Sequence, residues 1–196
     1  MKLNIPNKLT ILRILLTPVF LGVILWEELP HRFIIACLVF SAGAITDVID
    51  GHLARKNNQI TNFGKFLDPI ADKVLTTSAL LAFMSMGLCN IWIVVLVLTR
   101  EFAIASIRMI AAAGGVVIPA NIWGKIKTVS QMTFTILIML LGEIYYILAD
   151  FNAELFAKLP ELSLISNGLL WITAILTVVS GVIYIKDSIK LIDFTK

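Results

Sequence analysis

Six apolar segments, at about residues 9–26, 33–54, 66–87, 91–113, 122–149 and 168–190, divide this chain of 196 residues. Each is close to or beyond the roughly 20 apolar residues that a helix needs to cross a bilayer core. No water reaches the backbone there, so each segment must satisfy its own N–H and C=O groups as a helix. Polar breakers separate the segments: "EELPHR", the neighbourhood of Asn57 and Asn58, "GLCN", "GGVVIPAN" and "DFNAELFAKLPELS". Only 15% of residues are charged against 59% hydrophobic, which a soluble domain of this length would not show. The expectation is an all-α polytopic membrane protein, with six transmembrane helices in one domain over residues 1–196.

Basic residues set the orientation. Lys2, Lys8 and Arg13 lie at the start, Arg55, Lys56 and Lys65 after the second segment, Lys125 and Lys127 after the fourth, and Lys186, Lys190 and Lys196 at the close. The opposite loops hold Arg32 and Lys158. Lys and Arg stay on the cytoplasmic side, so both termini and residues 47–73 are expected to face the cytoplasm. The first apolar stretch is long for a signal peptide and no small-residue cleavage site follows it, so it reads as a retained helix. Pro6 discourages helix at Ile5, which leaves the first eight residues as an interfacial segment or a disordered tail.

Net charge +3, with no basic run or aromatic platform, gives no reason to expect a nucleic-acid partner. Cys37 and Cys89 have no zinc-ligand spacing and read as small reduced core residues. Trp26, Trp92, Trp123 and Trp171 mostly fall near segment ends, as interfacial anchors do. Gly142 and Gly181 suit helix packing or a dimer seam. His31, His52 and Glu143 show no partner in the sequence that assigns them a role.

The stretch "DVIDGHLARKNNQITNFGKFLDPIADK", residues 47–73, carries four aspartates at helical spacings. Asp47 and Asp50 share a helix face at i, i+3, and Asp68 and Asp72 share one at i, i+4. The first pair ends one segment and the second begins the next, so a hairpin can join them. Four carboxylates in low dielectric repel one another strongly. A hard divalent cation relieves that, and oxygen-only donors favour Mg²⁺, Mn²⁺ or Ca²⁺ over zinc. Gly51, Ala54 and Gly64 leave room for a ligand beside them, and Arg55 offers a planar fork for phosphate. Pro69 suits the first turn of a helix capped by Asp68.

Asp47, Asp50, Gly51, Ala54 and Arg55, then eight residues, then Gly64, Asp68 and Asp72 resemble the signature of the CDP-alcohol phosphatidyltransferases. All eight fixed positions are present. The resemblance implies transfer of a phosphatidyl group from CDP-diacylglycerol to a hydroxyl acceptor, with release of CMP. It implies that Asp47, Asp50, Asp68 and Asp72 hold Mg²⁺ or Mn²⁺ on the pyrophosphate, and that Asp72 is also the general base. It further implies a homodimer in the bacterial cell membrane.

A second polar cluster bears on the acceptor. "TREFAIASIRMIAAAGG" places Arg100 and Arg108 in apolar sequence, and "NIWGKIKTVSQM" adds Lys125 and Lys127. Buried arginines need partners; Glu101 could pair with one of them, but adjacent residues on a helix do not face each other. The excess charge therefore asks for an anionic acceptor. These stretches, with "NIPNKLTILRI", resemble the family members that use sn-glycerol 3-phosphate. That resemblance implies an acceptor-phosphate pocket of Arg100, Arg108, Lys125 and Lys127, with Asn7 and Thr10 on the CDP-diacylglycerol side. Rival readings are a same-family enzyme for serine or inositol phosphate, and a divalent-cation transporter. A conduction site would place acids near the bilayer middle, whereas these four lie at one expected cytoplasmic end.

Overall fold

A computed structural model describes residues 5–56, 62–115, 118–119 and 121–189, with side chains apart from those of residues 5, 6, 48–56, 62–69, 72, 113, 153 and 189. Every regular element among them is an α-helix: α1 Ile5–Leu25, α2 Arg32–Lys56, α3 Asn62–Ser85, α4 Ile91–Ala113, α5 Ile122–Phe151, α6 Ala153–Phe156 and α7 Leu162–Ile189. Three of them, α1, α5 and α7, are long and apolar enough to cross a membrane. The helices α2, α3 and α4 run 25, 24 and 23 residues but carry charges towards one end.

Two boundaries differ from expectation. Helix α1 is already formed at Ile5, because Pro6 sits in the first turn, where a missing N–H removes no helical bond. Helix α7 starts at Leu162 rather than 168, since the polar residues of its first turns find partners. Ser166 donates to the Leu88 carbonyl at 2.7 Å, Asn167 Nδ2 to the Ser163 carbonyl at 2.8 Å, and Asn167 Oδ1 accepts from Asn90 N–H at 2.7 Å. The expected breaker at 150–163 also contains the single-turn α6. Asparagines begin two other helices: Asn90 Oδ1 accepts from Trp92 N–H and Asn121 Oδ1 from Gly124 N–H, at 3.0 and 2.8 Å.

Helix α1 packs on α2 and α3, α5 on α2 and α7, and α4 on α7. Phe20, Phe40, Phe83, Leu80, Ile138 and Leu170 meet in the core, with the Phe20 and Phe40 rings 5.7 Å apart. Gly142 is a packing position: a Cβ there would lie 2.6 Å from the Phe33 ring. At the same end of the bundle His31 and Glu143 do have partners. His31, with φ 56°, brings Nδ1 to 2.5 Å from Glu143 Oε1, and Glu143 Oε2 accepts the Ile34 N–H at 3.2 Å. Glu143 thus satisfies a free N–H at the start of α2. Cys37 and Cys89 are buried free thiols, as expected.

Candidate active site

The register of α2 against α3 positions the aspartates. A Cβ on Gly43 would fall 2.8 Å from Leu75 Cδ2, so the Leu75 side chain of α3 packs over the bare backbone of α2 there. Gly43 is thirteen residues from the end of α2, and Leu75 thirteen from the start of α3. Such equal arms describe an antiparallel pair. From that contact, Asp47 lies four residues on and Asp72 three residues back, about one helical turn either way. Asp50 and Asp68 both lie seven residues from it, about two turns. Positions 47 and 72 therefore share one level of the pair, and 50 and 68 the next. The side chains of Asp50, Gly51, Ala54, Arg55, Gly64, Asp68 and Asp72 lie outside the described residues. Among those described, no three acidic, histidine or cysteine side chains group as a metal site.

Asp47 is described, and its partner is a residue expected only to mark the cytoplasmic flank. Arg13 is fully buried on α1, and its Nη1 lies 2.6 Å from Asp47 Oδ1. Its stem runs beside Gly43, whose missing side chain leaves the space. A buried guanidinium is tolerated only when paired, and this pairing fixes α1 to the aspartate end of α2. Asn7 and Thr10 are buried on the same helix, outside the cavity described next.

That cavity, of about 660 Å³, opens between α3, α4, α5 and α7. Lys73 enters it from α3, Arg100, Glu101 and Arg108 from α4, Asn121 and Lys125 from the start of α5, and Tyr184 from α7. Lys73 follows Asp72 in the chain, so the cavity adjoins the aspartate-bearing turn of α3. Three of the four residues expected in an acceptor pocket, Arg100, Arg108 and Lys125, line it. Lys127 does not; it is buried behind the wall.

Glu101 explains where Lys127 goes. Its Oε1 receives Lys127 Nζ and Arg100 Nη1, both at 2.7 Å, and its Oε2 receives Lys73 Nζ. Glu101 does pair with one of the two arginines, and it is the adjacent Arg100, against the expectation that helix neighbours do not face each other. The rule describes Cβ directions, and a long guanidinium stem can turn back when a carboxylate is held in place by lysines from two other helices. Gly181 of α7 gives the stem its room: a Cβ there would lie 3.1 Å from Arg100 Cγ. Arg100 Nε, like Asn121 Nδ2, is buried without an acceptor among the described residues.

Arg108 and Lys125 are spent differently. Arg108 Nε donates to Tyr184 Oη at 3.0 Å, its Cζ lying 5.3 Å from the Tyr184 ring centroid. Its terminal nitrogens, and Lys125 Nζ, have no partner among the described residues. One carboxylate thus faces Lys73, Arg100, Arg108, Lys125 and Lys127 among the described residues, a surplus of donors and positive charge. Lys73, Asn121 and Tyr184 were not singled out in the sequence. The only signal for them is the position of Lys73 and Tyr184 near the expected cytoplasmic ends of their helices.

Comparison with known proteins settles the lineage. The model of the CDP-alcohol phosphatidyltransferase family matches residues 3–180.

The chain belongs to the CDP-alcohol phosphatidyltransferases.

Its relatives within the family include a CDP-diacylglycerol–glycerol-3-phosphate 3-phosphatidyltransferase of Bacillus subtilis, 38% identical over 91% of each chain. One of the same name from Rickettsia bellii is 34% identical over 93% of this chain and 94% of the relative. A probable phosphatidylglycerophosphate synthase of Mycobacterium tuberculosis is 42% identical over 65% of this chain and 62% of its own length. As a CDP-alcohol phosphatidyltransferase, this chain carries its cation-rich cavity beside the helix turns that bear the family's aspartates.

Proposed function

We propose that this enzyme transfers the phosphatidyl group of CDP-diacylglycerol to sn-glycerol 3-phosphate, giving phosphatidylglycerophosphate and CMP. The cavity carries this reading. A doubly charged phosphate monoester would meet there the ends of Arg108 and Lys125, which have no partner among the described residues, beside α3. A net-neutral acceptor such as serine offers no phosphate to pair with those two cations.

The chemistry follows from what each group can do. The acceptor hydroxyl attacks the phosphorus that bears diacylglycerol; the new P–O bond forms as the bond to CMP breaks, and the hydroxyl proton passes to a carboxylate. Asp72, on the turn next to Lys73, is the proposed base. Asp47, Asp50, Asp68 and Asp72 are the proposed ligands of Mg²⁺ or Mn²⁺; the all-oxygen donors and the shared register of α2 and α3 fit such an ion. Bound there, a divalent ion offsets charge on the leaving nucleotide. Gly51, Ala54, Arg55, Gly64, Asn7 and Thr10 are proposed to line the CDP-diacylglycerol side, and Arg100 and Lys127 to support the acceptor pocket.

Six spans, both termini and the site at the cytoplasmic face of a bacterial cell membrane, and a homodimer complete the reading. Basic residues at one end of the helices and the 23–25-residue lengths of α2 to α4 support the first two. The deciding experiment supplies the purified protein with CDP-diacylglycerol and Mg²⁺ or Mn²⁺ and measures CMP. Release is expected with glycerol 3-phosphate; equal release with serine or inositol phosphate overturns the acceptor assignment.

A further inference from the structure

The contact between Arg108 and Tyr184 joins α4 to α7 at the cavity, as the Arg100 stem does at Gly181. Tyr184 is almost fully buried, 3% exposed, yet its hydroxyl reaches the cavity wall and accepts the Arg108 Nε–H. A guanidinium has five N–H donors in one plane. With Nε held by the hydroxyl and the group lying by the ring, the free edge is the one carrying the two terminal nitrogens. That edge is the bidentate fork that fits two oxygens of a phosphate. On its own, Arg108 would sample many rotamers from an exposed position at the end of α4, and ordering it would oppose binding. Glu101 gives no help, because its oxygens are taken by Lys73, Arg100 and Lys127.

We infer that Tyr184 is a positioning residue for the acceptor phosphate: it aims Arg108 and so sets affinity for the phosphorylated acceptor rather than for CDP-diacylglycerol. The inference rests on the acceptor-pocket reading. It adds a residue of α7 that lies outside the signature and outside both basic stretches.

The test is a double-mutant cycle on the full chain in lipid–detergent micelles. Tyr184→Phe keeps the ring and its packing and removes only the hydroxyl. The KM for glycerol 3-phosphate should rise about ten-fold with kcat and the KM for CDP-diacylglycerol unchanged, the size expected for losing a charge-assisted hydrogen bond. In an Arg108→Ala background the same substitution should add nothing, since a residue acting through Arg108 has nothing left to act on. Where Arg108→Ala turns over too slowly, direct binding of glycerol 3-phosphate by calorimetry closes the cycle. An unchanged acceptor KM overturns the inference, as does a Tyr184→Phe effect that persists without Arg108. A matched rise in both KM values with a lowered Tm also overturns it, since that is general loosening. The wild-type acceptor assay separates the two levels. If the wild type uses a different phosphorylated alcohol, the acceptor identity fails while the cycle, run with that alcohol, still tests Tyr184.

Discussion

Arg13 Nη1 lies 2.6 Å from Asp47 Oδ1, joining a fully buried arginine on α1 to the first aspartate of the family signature on α2. The pair does two things at once. It pins one oxygen of Asp47 so that the other keeps a set direction, and it lets an arginine sit in the bundle at all.

Removing Arg13 should therefore damage both fold and turnover. Arg13→Met leaves a partly exposed Asp47 without its counter-charge, a change worth about 1 kcal/mol, and lowers Tm by roughly 2–4 °C. Thermal unfolding followed by circular dichroism checks the first effect. CMP release below the Tm of the variant checks the second and should fall at least about ten-fold. Full activity with an unchanged Tm would show that the pair does not matter.

Lys125 and Lys127 are two residues apart and should behave in opposite ways. Lys125 faces the cavity with no partner among the described residues, whereas Lys127 is buried on Glu101. Lys125→Ala should raise the KM for glycerol 3-phosphate about ten-fold and leave Tm nearly untouched. Lys127→Ala should lower stability by about 2 kcal/mol, because it removes one of the three cations of Glu101. Acceptor kinetics and melting curves, measured on both variants, read this contrast directly.

Asp72 is the proposed base. Asp72→Asn keeps the size of the side chain and removes its proton affinity, so turnover should drop by about 10² to 10⁴. Binding of CDP-diacylglycerol, followed by calorimetry, should stay measurable. EDTA should also stop wild-type turnover, and Mg²⁺ or Mn²⁺ should restore it. Activity retained by Asp72→Asn would remove that residue as the base.

Cys89 lies in the turn before α4, and burial pushes its thiol up to about 12 from an ordinary 9.0. Burial favours the neutral form, and thiol reagents attack the thiolate. Native protein should therefore resist maleimide at Cys89 at pH 8, while protein unfolded in detergent labels at both cysteines, as mass spectrometry would show. The linkage sign follows: above pH 9 the unfolded chain loses a proton that the folded chain keeps, so this residue's contribution to stability falls as pH rises towards 12.

Long helices were legible in the sequence because lipid forces each apolar segment to close its own hydrogen bonds, whatever its neighbours do. Local spacing likewise exposed the aspartate signature, since residues three and four apart on a helix share a face before any packing occurs. Pairing was another matter. Glu101 collects Lys73 from α3 and Lys127 from α5, Arg13 crosses from α1 to Asp47, and Arg108 reaches Tyr184 seventy-six residues away. No periodicity encodes such contacts; they exist only once the helices are packed at a given register and rotation. Even the rule that neighbours on a helix face apart gave way at Arg100 and Glu101, where lysines from two other helices hold the carboxylate. The sequence by itself determined which segments are helices and which residues match the family's signature. Tertiary structure alone decided which charges cancel inside the bundle and which stay free for a substrate, because electrostatic pairing depends on distances that only packing sets.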